Sequence, residues 1–125
     1  MKKKGFVSIW LGEITDEDSM REYINISYNE DGESVPSQFF IDFNIDMDET
    51  DEDTIEIAVY KSSSNDMSTL LKRCSYEENI IPKIRSSVVL KKSYNAVILI
   101  YNFDYKNEIG STGAFDFIAA TVYEF

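Results

Sequence analysis

The sequence predicts an α+β fold: one domain over residues 1–125, built on a single four-stranded, largely antiparallel sheet with helices packed against it, in the order β-α-α-β-α-α-β-β. Three observations predict it. Residues 5–12, 54–60, 95–103 and 113–123 are rich in β-branched and aromatic side chains, as strands are. The segments between them carry capping residues followed by apolar positions at helical spacing. Finally, 125 residues with 43% hydrophobic content, eight Phe, eight Tyr and one Trp suffice to bury a real core.

Gly5–Gly12 reads as the first strand, with Phe6, Ser8 and Trp10 on one face and Val7, Ile9 and Leu11 on the other. Apolar residues on both faces predict an inner strand covered on two sides. Thr15 followed by Asp16, Glu17 and Asp18 is a helix start, the hydroxyl capping and the acids lying where the helix dipole favours them. Met20, Tyr23 and Ile24 form its buried stripe. Asn29–Glu33 is a turn-rich loop. Ser34–Ile45 reads as a second helix, with Pro36 in its first turn, Phe39, Phe40 and Phe43 on its apolar side, and Asn44 ending it in a left-handed conformation.

After the strand at 54–60, residues 62–65 form a loop, and Asp66–Arg73 a short helix carrying Met67, Leu70 and Leu71. Ser75-Tyr76-Glu77-Glu78 is a capping box that opens a helix to about Lys92, with Ile81, Ile84 and Val88 inward and Pro82 kinking or restarting it. Asn95–Phe103 is the strongest strand, since Ala96–Ile100 is continuously apolar and suits a central position. A polar loop from Asp104 to Thr112 leads to the last strand, Gly113–Tyr123, and the pair reads as an antiparallel hairpin with a long loop.

Charge divides the chain sharply. Residues 13–56 hold sixteen acids and one base, Arg21, for a net −15, whereas residues 57–125 come to +1 and the whole chain to −11. Such a surface repels nucleic acid and anionic membranes and favours fast, salt-sensitive encounter with a basic partner. The acids are densest just ahead of the second strand, where Asp46, Asp48, Glu49, Asp51, Glu52 and Asp53 crowd eight positions. A strand held in a sheet is stiff, so it would keep these carboxylates at a fixed place. They are the candidate partner-binding residues, with Glu56 beside them, Asp31 and Glu33 as outliers, and Tyr60 as an aromatic anchor. The plain alternative is a solvated face that serves solubility alone.

Missing atoms exclude much chemistry. The chain has no histidine, which removes Ser-His-Asp and Cys-His catalysis and nearly every transition-metal site. Its five glycines form no phosphate-binding loop. The segment from Asp46 resembles the opening of a calcium loop, but Asp51 stands where the tight turn needs Gly, and Ile57 where a bidentate Glu belongs. A pair of carboxylates of the glycosidase kind remains open in so acidic a chain. No cofactor and no metal is therefore expected, and no enzymatic activity. Cys74 is the single cysteine, which suits a reducing compartment; neighbouring Lys72 and Arg73 could lower its pKa, but with no base to activate it a buried or idle thiol is the expected reading. The stretch behind Lys2–Lys4 is too short for a signal peptide, no apolar run reaches about twenty residues, and the cytoplasm is the expected location.

Several of these stretches also carry a resemblance. Gly5–Gly12 followed by an acidic capped helix, Pro36-Ser37-Gln38-Phe39 with Asp42-Phe43, and Tyr94–Tyr101 are together similar to bacterial proteins grouped as immunity protein 22. The likeness runs nearly end to end; Trp10 matches a tryptophan associated with that family, while Asn44 stands where relatives often carry Gly. The resemblance implies a small cytoplasmic α+β protein that neutralises the toxin domain of a neighbouring polymorphic toxin. Joined to the charge pattern, it leads to the expectation of a non-catalytic inhibitor whose carboxylates meet a basic toxin surface, such as that of a nuclease. The competing expectations are an acidic structural or regulatory protein with no toxin partner, and a small carboxylate-dependent enzyme.

Overall fold

The computed structural model describes residues 2–123 except 26, 29, 33, 36, 47, 48, 51, 107 and 108. The elements run β1 (Lys2–Gly12), α1 (Glu17–Ile24), β2 (Ser27–Tyr28), β3 (Ser34–Val35), α2 (Gln38–Asp42), a 3-10 turn (Glu52–Thr54), β4 (Ile55–Ser64), α3 (Met67–Leu71), α4 (Glu77–Ser87), β5 (Tyr94–Phe103), β6 (Ser111–Thr112) and β7 (Phe115–Val122). The main sheet is antiparallel throughout, in the order β4-β5-β1-β7-β6, and β2 and β3 form a separate pair.

The α+β class holds, but the sheet has five strands and not four, and the element order differs from the expected one. The added members, β2, β3 and β6, are two residues long. Backbone pairing makes them strands, and two residues are too few to leave a period in the sequence. The expected hairpin between the last two long strands is overturned as well. β1 lies between β5 and β7 and pairs with both, because β5 already uses its other side for β4.

The two faces of β1 explain its position. Val7, Ile9 and Leu11 are buried with Val97, Leu99, Met67, Leu70, Leu71, Ile80 and Ile84, so α3 and α4 cover that face. Trp10 is buried on the other face with Met20, Phe39, Phe40, Phe43 and Tyr105, under α1 and α2. The Trp10 ring lies 5.0 Å from Phe39, 5.9 Å from Phe43, 5.4 Å from Tyr105 and 5.3 Å from Phe117, mostly edge-on or tilted, as aromatic rings prefer. Ser8, fully buried among them, is satisfied. Its hydroxyl donates to the Phe103 carbonyl (2.8 Å) and accepts from the Tyr105 amide (2.9 Å).

Helix ends differ from expectation in instructive ways. Asp16 and not Thr15 caps α1, accepting from the Ser19 amide at 2.8 Å. Helix α2 is only Gln38–Asp42, capped by Ser37, and Pro36 lies outside the described residues. Its end follows the reading for Asn44, which has φ +54; the Asn44 amide donates to Ile41 and the Ile45 amide to Phe40. That is the Schellman pattern, and Phe40 and Ile45 supply its apolar contact within one buried cluster. Helix α4 passes through Pro82 and stops at Ser87, short of Lys92. Ile80, which the sequence reading omitted, is buried with Ile84 one turn on, while Ile81 and Val88 are half-buried.

Candidate functional site

The acidic segment is stretched between two anchors. Ile45, buried, fixes its start: the Schellman turn positions it, and the Tyr105 hydroxyl donates to the preceding Phe43 carbonyl at 2.6 Å. Ile55 fixes its end by pairing with Ile100 in the sheet, on the face that also holds Ile45. Asp46 is exposed, and the Glu49 amide turns back onto its carbonyl at 3.0 Å. Asp53 is exposed in the 3-10 turn that also contains Glu52. Asp48 and Asp51 lie outside the described residues, as does Glu33; Asp31 is exposed in the turn between β2 and β3. A groove of about 600 Å³ lined by Asn44, Ile45, Asp46, Glu49, Phe103, Tyr105 and Lys106 opens beside the segment.

Glu56 behaves differently from its neighbours in sequence. Both of its carboxylate oxygens accept from Ser75, one from the amide and one from the hydroxyl, each at 3.0 Å. The clasp ties the corner between α3 and α4 to β4. It also explains why the expected capping box fails. The Ser75 hydroxyl is spent on Glu56, and Tyr76 takes the cap position with φ +62 and no side-chain cap. Close by, the Tyr101 hydroxyl donates to the Ser75 carbonyl at 2.7 Å; burial first, and then the Glu56 carboxylate, raise the Tyr101 phenol far above its ordinary range.

Tyr60 stands apart from the acidic segment. It lies five positions beyond Ile55, about 16 Å along an extended strand. Its hydroxyl donates to the Leu70 carbonyl at 2.8 Å, and Arg73 and Lys72 lie over its ring at 4.8 and 5.6 Å. Sequence reasoning missed this group. The adjacent pair Lys72-Arg73, in a chain with twelve basic residues, is the signal in the sequence that points to it. The Cys74 thiol is in fact pushed up to about 12, by burial first and then by Glu56 and Glu77. Thr15, Asp16, Glu17, Lys61, Lys72 and Arg73 join Tyr60 around a cleft of about 620 Å³, which therefore presents both signs of charge.

The structure thus brings Asp46 and Glu49 together at one groove, places Asp53 and Glu56 along the start of β4, and sets Tyr60 at a second cleft beyond them. Ion pairs of the basic second half include Lys92–Asp116 at 3.0 Å and Lys106–Asp104 at 2.7 Å, whose acids belong to that half. Among the described residues, no group of three or more metal-ligating side chains converges, and no helix is long and apolar enough to cross a membrane.

Residues 7–124 match the family described as Immunity protein 22. No curated protein and no solved structure matches the chain.

Proposed function

Because the chain belongs to the immunity protein 22 family, we propose that it binds and neutralises a cognate bacterial toxin domain in the cytoplasm, without chemistry of its own. The contact surface in this reading is the acidic segment: Asp46, Asp48, Glu49, Asp51, Glu52, Asp53 and Glu56, with Asp31 and Glu33 as outlying contacts. The toxin is a protein with a basic surface, of the kind a nuclease needs to hold phosphates. Tyr60 belongs to the same footprint only if the partner runs along β4, a span well within a standard interface of roughly 800 Å² per side.

One observation carries the reading: sixteen acids against one base over residues 13–56, culminating in a segment held at Ile45 and Ile55 with Asp46 and Asp53 exposed. A folded polyanion competes with nucleic acid for a basic site, and electrostatic steering speeds its arrival. The test is the association rate of the chain with the toxin domain encoded beside its gene. Raising salt should slow association by roughly tenfold or more, since exposed charges are screened beyond about 10 Å at 0.1 M. The variant Asp48→Asn, Asp51→Asn, Asp53→Asn should stay folded and protect cells poorly. Full protection by that variant, with a salt-indifferent rate, would move the interface off the acidic segment.

A further inference from the structure

Among the described residues, the long strand β4 carries no strand on its outer side. β4 has ten residues, pairs with β5 on its inner side, and is the end strand of the sheet. Among the described residues no strand or backbone group pairs with its outer side. Soluble proteins ordinarily blunt such an edge with proline, lysine, a bulge or a covering helix. Here Ile55–Tyr60 contains no proline and no lysine; Lys61 and the register irregularity between Val59 and Ser64 come only after the regular pairing with β5 has ended at Val59. Ile57, midway along, is 38% exposed. Beside it Glu17, Met20 and Arg21 of α1 face Ile57, Ala58 and Val59 across a notch of about 180 Å³.

We propose that the outer edge of β4 over Ile55–Tyr60 receives an extended strand of the toxin, which joins the sheet as a sixth member. This rests on the immunity reading and adds the mode of contact. Main-chain hydrogen bonds to the open edge supply affinity, and alternate side chains of the incoming strand supply specificity. On one face those side chains meet Ile57 and the notch under α1; on the other they meet Glu56, Ala58 and Tyr60. Charge sets the register. The Ile55 end adjoins Asp53, Glu56 and the acidic segment, so the incoming strand carries its basic residues there.

A second copy of the chain is the competing occupant, and charge disfavours it. Each copy carries −11.

Amide hydrogen exchange of the intact chain, alone and with the toxin domain encoded beside its gene, tests the proposal. Every second amide over Ile55–Tyr60 points outward, and these should exchange quickly in the free chain and slow by about tenfold or more in the complex. Tight binding with unchanged exchange at β4 would overturn strand addition and leave the immunity reading standing. Absence of binding would overturn both. Protection of the same amides in the chain alone, rising with concentration alongside a dimer in sedimentation, would assign the edge to a second copy and overturn the proposal.

Discussion

At the β7 side of the sheet, the terminal strand β6 is two residues long and pairs only with the start of β7, while the Lys83 ammonium of α4 donates to the Val122 carbonyl at the other end. Asp116 of β7 accepts from Ser111 (2.6 Å), Tyr94 (2.6 Å) and Lys92 (3.0 Å), joining β6, β7 and β5 across β1. At the β4 side, among the described residues, no strand pairs outward over Ile55–Tyr60, and the irregular register comes only beyond Val59. Glu56 is tied to Ser75, and over Ile55–Tyr60 no described strand covers the outer side, with Ile57 showing. Edges are a hazard that selection removes where it can. Among the described residues β7 is engaged at its two ends, by β6 and by Lys83, whereas β4 carries no strand on its outer side over Ile55–Tyr60, the stretch to which strand addition is assigned above.

The comparison breaks most readily at Gly12, where β1 meets β7. A Cβ there would run into the Ala114 carbonyl oxygen and the Phe115 ring, so backbone at the start of β7 must shift to admit it. Gly12→Ala should cost about 3 kcal/mol in urea melts, the upper range for overpacking, with exchange protection lost on β7 first.

Next in size is Asp116→Asn. Burial opposes ionisation of Asp116, but the hydrogen bonds from Ser111, Tyr94 and Lys92 together outweigh it and hold its pKa below the usual carboxylate value. A carboxylate with a depressed folded-state pKa stabilises the fold above its unfolded value, near 3.9, and loses that contribution as pH falls through the folded value. The substitution should therefore cost about 1.5 kcal/mol at pH 7, held down by partial exposure, and much less near pH 2. An equal loss at both pH values would mean that the clasp acts through shape alone.

Ile57→Lys should change stability by under about 1 kcal/mol, since the side chain is already partly in water. If the open edge is the one in use, the same change should weaken toxin binding by about tenfold or more, because a lysine on an edge blocks strand addition. Unaltered affinity would remove the functional meaning of the contrast. The smallest effect concerns Cys74. With its thiol pushed up to about 12, it should resist a thiol reagent at pH 8 in the folded chain and react at once in urea.

Local signals made much of the fold legible. The long strands were readable from continuous apolar or β-branched runs, and the left-handed Asn44 from its place behind Phe39, Phe40 and Phe43. The capping box at Ser75 misled because a hydroxyl that can cap a helix can equally serve a distant carboxylate, and Glu56 is nineteen residues away. In the candidate site the acidic segment was visible as composition. That Glu56 is clasped, and that Tyr60 sits with Lys61, Lys72 and Arg73 at a separate cleft, was not, because those partners are neighbours in space only.

By itself the amino-acid sequence determined the class of fold, the two-sided burial of β1 and β5, the concentration of negative charge in residues 13–56 and the absence of histidine chemistry. Those are properties of residue type and period, which any chain of this pattern carries wherever its elements lie. Tertiary structure alone decided that β1 separates β5 from β7, and hence that β4 stands at the margin of the sheet, with no described strand on its outer side. Strand order depends on which apolar faces find each other across the whole chain, and no local period records it.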